Sequence, residues 1–195
     1  GHVRLAMAML DLTLDSRPFP EENTGVRLVA DATYGRDVEV VGRSFLSGEL
    51  DLEGAVEVSC PDRVLAARVY AMDTQPLGRE GVPFAQLATL GWDKHYGFVL
   101  GRFRGESALL GQLQYRYPVN YFVDAQWTVS VGNAFSAHFG DLQPSALTGS
   151  FGVGVRTRRT GSLPMQLTFA MGTTRFDEPL GFGSLRVYFG TAMGL

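Results

Sequence analysis

The chain has 195 residues, a formal net charge of −3, and 45% hydrophobic and 11% aromatic residues. That length suffices for one sizeable domain, and so mild a charge selects neither nucleic acid nor an acidic polymer as partner. A single cysteine, Cys60, excludes an intrachain disulfide and a cysteine-built zinc site, and no apolar run reaches the ~18–20 residues of a membrane-crossing helix.

Period-two alternation, the signature of strands with two unlike faces, recurs along the chain. A less regular strand occupies residues 3–14. Over 25–34, Val26, Leu28, Ala30, Ala32 and Tyr34 oppose Arg27, Asp31 and Thr33. Over 46–58, Leu46, Leu50, Leu52, Val56 and Val58 oppose Ser47, Glu49, Asp51, Glu53 and Glu57. Residues 63–72 set Leu65, Ala67, Val69 and Ala71 against Arg68 and Tyr70. After a long connection, 107–117 opposes Leu109, Leu113, Tyr115 and Tyr117 to Gln112, Gln114 and Arg116. In 121–131, Val123, Ala125, Trp127, Val129 and Val131 oppose Asp124, Gln126, Thr128 and Ser130. Segments 147–157 and 164–173 follow, the first with Phe151, Val153 and Val155, the second with Met165, Leu167, Phe169 and Met171 on the apolar face. The last segment, 185–195, sets Val187, Phe189, Met193 and Leu195 against Arg186, Tyr188, Gly190, Ala192 and Gly194.

These are about nine strands of roughly ten residues, the length a tilted strand needs to cross a bilayer. Short connections at 59–62, 118–120 and 158–163 alternate with longer ones at 35–43, 73–106, 132–146 and 174–184, apart from a middling turn at 15–24. Outer-membrane barrels share this layout of short periplasmic turns and long outer loops. Tyr115, Tyr117 and Tyr121 flank one short turn, where an aromatic girdle is expected. The expected fold is therefore an all-β, transmembrane antiparallel barrel. A mean hydropathy near zero fits this, because lipid-facing and lumen-facing residues cancel in the average. A soluble ligand-binding barrel, with the apolar face inside, is the alternative. The glycine-rich, charge-dispersed polar face and the single lysine, Lys94, argue against it. Single-chain bacterial barrels are even-stranded, so further strands are expected upstream of Gly1, with either a removed signal peptide or a longer chain before it.

Several segments, in order, resemble the bacterial surface antigen (D15) domain, the barrel of the Omp85 superfamily. They are Asp15-Ser16-Arg17-Pro18 with Pro20 and Gly25, and Gly101-Arg102-Phe103-Arg104-Gly105 followed by Ala108-Leu109-Leu110-Gly111 and Tyr115-Arg116-Tyr117-Pro118. Phe122-Val123-Asp124-Ala125 and Gly152-Val153-Gly154-Val155-Arg156 complete the set. The resemblance implies that residues 1–195 are the C-terminal portion of a sixteen-stranded outer-membrane barrel, with the loop at 73–106 folding inward. It also implies insertion or translocation of polypeptides, with the lipid bilayer, nascent outer-membrane or secreted polypeptides and the barrel-assembly machinery as partners. It implies no cofactor and no bond-making chemistry. Where the family's loop carries Arg-Gly-Phe/Tyr, this chain reads Tyr96-Gly97-Phe98. Tyrosine supplies neither the charge nor the forked geometry of arginine, and Arg102 or Arg104 is the expected substitute.

The acidic row Glu49, Asp51, Glu53 and Glu57 reads in two ways. It is a docking surface for the inward loop through Arg102 and Arg104, or an ordinary polar wall paired with Arg68 and Arg27. Tyr188, Phe189, Met193 and Leu195 resemble a terminal signal read by the assembly machinery through strand addition, although the last residue is not aromatic. The histidines, His2, His95 and His138, lie at the terminus and in loops, with no serine in a recognisable nucleophile setting and no converging metal ligands. A passive structural or transport barrel, and the membrane anchor of an upstream enzyme, are the alternative functions.

Overall fold

A computed structural model describes residues 4–17, 24–59, 62–92, 94–158, 165–179 and 181–191. Nine strands form one antiparallel sheet: β1 (Leu5–Asp15), β2 (Gly25–Asp37), β3 (Ser44–Glu57), β4 (Val64–Pro76), β7 (Ser107–Pro118), β8 (Val123–Phe135), β9 (Thr148–Thr157), β10 (Met165–Arg175) and β11 (Phe182–Thr191). Each pairs with its neighbours in chain order. Two short strands, β5 (Ala88–Leu90) and β6 (Phe103–Gly105), pair with one another inside the long β4–β7 connection. Among the described residues helix is confined to two single turns, Phe84–Gln86 and Pro144–Ala146. β1 and β11 each have one partner, so the sheet is open at both edges among the described residues.

The nine expected strands are present, most with both ends within a few residues of the alternation pattern. The registers explain why. Leu50 faces Ala30 on one side and Ala71 on the other, while Asp51 faces Val29 and Tyr70. Each strand thus adds its apolar side to one continuous face and its polar side to the other, because a one-residue slip would exchange the faces.

The faces are inverted relative to a water-soluble protein. Leu46, Leu50, Leu52, Leu113, Trp127, Val129, Phe151, Val153, Phe169 and Val187 are exposed. Buried on the opposite face are Ser47, Asp51, Glu53, Gln112, Gln114, Arg116, Gln126, Thr128, Ser130, Ser150 and Thr168. Hydroxyl and amide ladders cross that polar face: Ser130 Oγ and Ser150 Oγ lie 2.7 Å apart, and Gln126 Nε2 donates to Thr168 Oγ1 at 2.8 Å. The accessible surface is 11201 Å², against roughly 9,100 Å² expected for a compact soluble monomer of this mass.

One apolar cluster interrupts the polar face. Tyr70, Ala108 and Leu110 pack against Ala88 and Leu90, with Phe103 beside them. The β5–β6 hairpin therefore lies over β4, β7 and β8 at the end of the sheet that carries the long connections. Neither strand was expected from the sequence, since three-residue strands are too short to show a period. Within the Gly101–Gly105 segment, Phe103–Gly105 forms β6, separate from β7, which starts at Ser107.

Candidate functional site

The distinctive site is the contact between the tip of the β4–β7 connection and the polar face. After β5 the chain turns at Gly91 and Trp92, both with positive φ, and returns to β6 through Gly97 and Gly101. His95, at the bottom of this excursion, is fully buried. Its Nδ1 lies 2.9 Å from Ser130 Oγ and its Nε2 3.1 Å from Thr148 Oγ1. Phe98 and Phe103 flank the ring, with centroids 4.7 and 5.6 Å away. Burial pushes the His95 pKa down to about 3, because the apolar surround penalises imidazolium. Ser130 and His95 resemble a nucleophile–base pair only in distance. The other ring nitrogen meets a threonine hydroxyl instead of a carboxylate, and all three groups are buried. The arrangement anchors a loop.

Tyr188 of β11 closes the contact from the other side. Its hydroxyl accepts from the Gly97 N–H at 3.0 Å and donates to the Phe98 carbonyl at 3.1 Å. Ser184 Oγ donates to the Gly97 carbonyl. Gly97 (φ 89°) lies so close to β10 that a Cβ there would sit 2.7 Å from the Gly172 nitrogen, and a Cβ on Gly172 would meet the Phe98 ring at 2.4 Å. Gly97 thus lets the loop backbone approach β10, and Gly172 makes room for the Phe98 ring. Gln166 Nε2 donates to the Tyr96 hydroxyl at 3.2 Å, and the Tyr96 and Tyr188 rings meet edge to face at 5.3 Å.

Lys94 spans to the other wall. Its Nζ lies 2.8 Å from Glu49 Oε1 and 3.7 Å above the Tyr70 ring. One short loop therefore ties β3 and β4 to β8, β10 and β11. Of the two readings of the acidic row, the polar wall paired with Arg68 and Arg27 holds for Asp51 and Glu53, and docking through Arg102 and Arg104 does not. Arg104 stacks 4.0 Å over Phe84, and Arg102 makes no ion pair among the described residues. Asp51 is held instead by Arg68 (Nε to Oδ1 2.8 Å), and Glu53 by Arg68 at 3.6 Å and Arg27 at 3.8 Å. Glu57 lies at the opposite end of β3, exposed. Glu49 docks the loop through Lys94.

Of the terminal-strand residues, Tyr188 and Phe189 point to opposite faces, the first into the loop contact and the second, 70% exposed, outward. Met193 and Leu195 lie outside the described residues, as do Cys60 and His2. His138 bridges Asp73 (3.0 Å) and Glu106 (3.1 Å) where the long connection leaves and rejoins the sheet. Among the described residues no group of three or more His, Cys, Asp or Glu is placed to hold a metal ion. Sequence reasoning missed Lys94, His95, Gly172 and Tyr188 as loop anchors. The one available signal was that the only lysine and a histidine stand side by side in the connection. Set against family models and curated proteins, the chain matches none.

Proposed function

We propose that the chain is the C-terminal part of a bacterial outer-membrane β-barrel of the Omp85 type, acting in insertion or translocation of polypeptides. One observation carries this reading: a nine-strand antiparallel meander whose exposed face is apolar and whose buried face is polar. Burying apolar area is worth about 25 cal/mol per Å², so such a face needs an apolar medium. Strands can cross that medium because their backbone bonds are made between strands. The loop carrying Tyr96-Gly97-Phe98, seated on the polar face, supports the Omp85 assignment, as does the order of its flanking motifs. The lipid bilayer, nascent outer-membrane or secreted polypeptides, and the barrel-assembly machinery are the corresponding partners.

Two measurements test it. The purified chain should need detergent or lipid to stay monodisperse; a stable, monodisperse protein in plain buffer would remove the membrane reading. In cells, residues of β11 should crosslink to nascent barrels, since an edge strand accepts another by augmentation. Absence of crosslinks under saturating conditions would leave a passive transport barrel, or the anchor of an upstream enzyme. Tyr96, in the place of an arginine, favours that second reading. Conductance in planar bilayers beside an insertion assay separates the two.

A further inference from the structure

The end of β10 is irregular on both sides. Its register with β11 shifts between Gly172 and Thr173, and its register with β9 shifts between Gly172 and Arg175. Bulges of this kind bend a strand and re-aim its side chains. Here they open a cavity of about 310 Å³ between the strand ends and the docked loop. Phe98, Val99 and Phe103 supply an apolar side. Three arginines from three different elements line the remainder: Arg102 just after Gly101, Arg175 at the end of β10, and Arg186 in β11.

Arg27, Arg43, Arg68 and Arg158 each make ion pairs with acidic neighbours. Arg102 and Arg186 make none among the described residues, and Arg175 engages Asp177 through a single terminal nitrogen at 2.8 Å. The neighbouring hydroxyls are already committed: Ser184 to the Gly97 carbonyl, Thr174 to the Pro179 carbonyl, Thr148 to the Gly132 carbonyl. The guanidinium groups are therefore the donors left to the cavity. Glu178 is the one acid that lines it. Like charges placed around one cavity repel one another, and an oxyanion relieves that repulsion while accepting paired N–H donors in the forked geometry arginine provides.

We propose that this cavity binds a phosphate-class oxyanion, held by Arg102, Arg186 and the free edge of Arg175. Its apolar side gives room for a short apolar substituent. A free phosphate and the headgroup of a phospholipid share this chemistry. The site rests on the cavity and its side chains alone, independently of any insertion activity.

The test uses the full chain in a zwitterionic detergent. Binding of inorganic phosphate is followed by 31P line broadening, and that of dihexanoyl phosphatidic acid, below its micellar concentration, by calorimetry. Saturable binding of both identifies a phosphate site open to either source; binding of the lipid alone assigns it to a headgroup. Arg186→Gln and Arg102→Gln should each weaken binding about tenfold or more, as the loss of charge-assisted hydrogen bonds predicts. Glu178→Gln should tighten it roughly two- to fivefold, an effect that a damaged fold does not produce. Arg4→Gln, remote from the cavity and just before the edge strand β1, should change nothing. No saturable binding of either probe at millimolar concentration overturns the proposal. So does binding that ignores Arg102, Arg186 and Glu178 alike.

Discussion

Tyr188 holds the loop through a single oxygen that both accepts from Gly97 and donates to Phe98. Tyr188→Phe keeps the ring contacts and removes both bonds, leaving a buried N–H without its partner. Docking should weaken by about 1–3 kcal/mol, read as faster proteolysis within the loop at unchanged sheet content. Gly97→Ala should act more strongly, because it combines a left-handed backbone with a Cβ against the β10 backbone. His95 gives the loop a pH dependence. Its pKa is near 3 when docked and about 6.5 when the loop is free in water. A depressed pKa means that the undocked state binds the proton better. Docking is therefore at full strength above about pH 6.5 and weakens as pH falls toward 3. Protease access to the loop should rise between pH 7.5 and 4.5 in the native protein and stay flat in His95→Gln.

At the scale of the element, β3, β4 and β8 carry opposite demands on their two sides. Arg68 serves both Asp51 and Glu53 on the buried side. Arg68→Ala strands the buried Asp51 and leaves Glu53 to Arg27 at 3.8 Å, and the loss should approach about 3–5 kcal/mol, measured as a lower urea midpoint. Arg68→Ala combined with Asp51→Asn should recover part of it. On the exposed side Val129→Arg separates two environments. In a bilayer the cost is about 2–4 kcal/mol near the midplane; facing water it stays within about 0.5 kcal/mol. Folding the variant into lipid vesicles and measuring its stability distinguishes them.

For the whole molecule, the loop contact joins strands far apart in the sheet. Lys94 reaches β3, His95 reaches β8 and β9, and Gly97 reaches β10 and β11. Among the described residues the sheet is open at both edges, and the loop is what connects β3 and β4 with β10 and β11. Lys94→Met, which removes the Glu49 bond and the cation over Tyr70, should leave every strand intact while loosening one wall. Hydrogen exchange should then rise in β3 and β4 and remain unchanged in β10.

The nine main strands, their order and the identity of each face were legible in the residues, because a period of two is a local property that pairing merely repeats. The polar row on β3 was equally legible, and so was the loop as a feature of interest. Partnership was legible only between neighbouring strands: Arg68 and Arg27 were nameable for the acidic row, whereas Lys94 was not, since charge carries no address across the 45 positions between Glu49 and Lys94. Alternation already put Tyr188 and Phe189 on opposite faces, but that Tyr188 meets the loop shows only where β11 lies against it. The β5–β6 hairpin was invisible because its strands are shorter than any period. Alternation is thus a short-range code for which side of a strand is polar. Which distant group fills that side depends on loop path and close backbone approach, and these exist only once the sheet has formed.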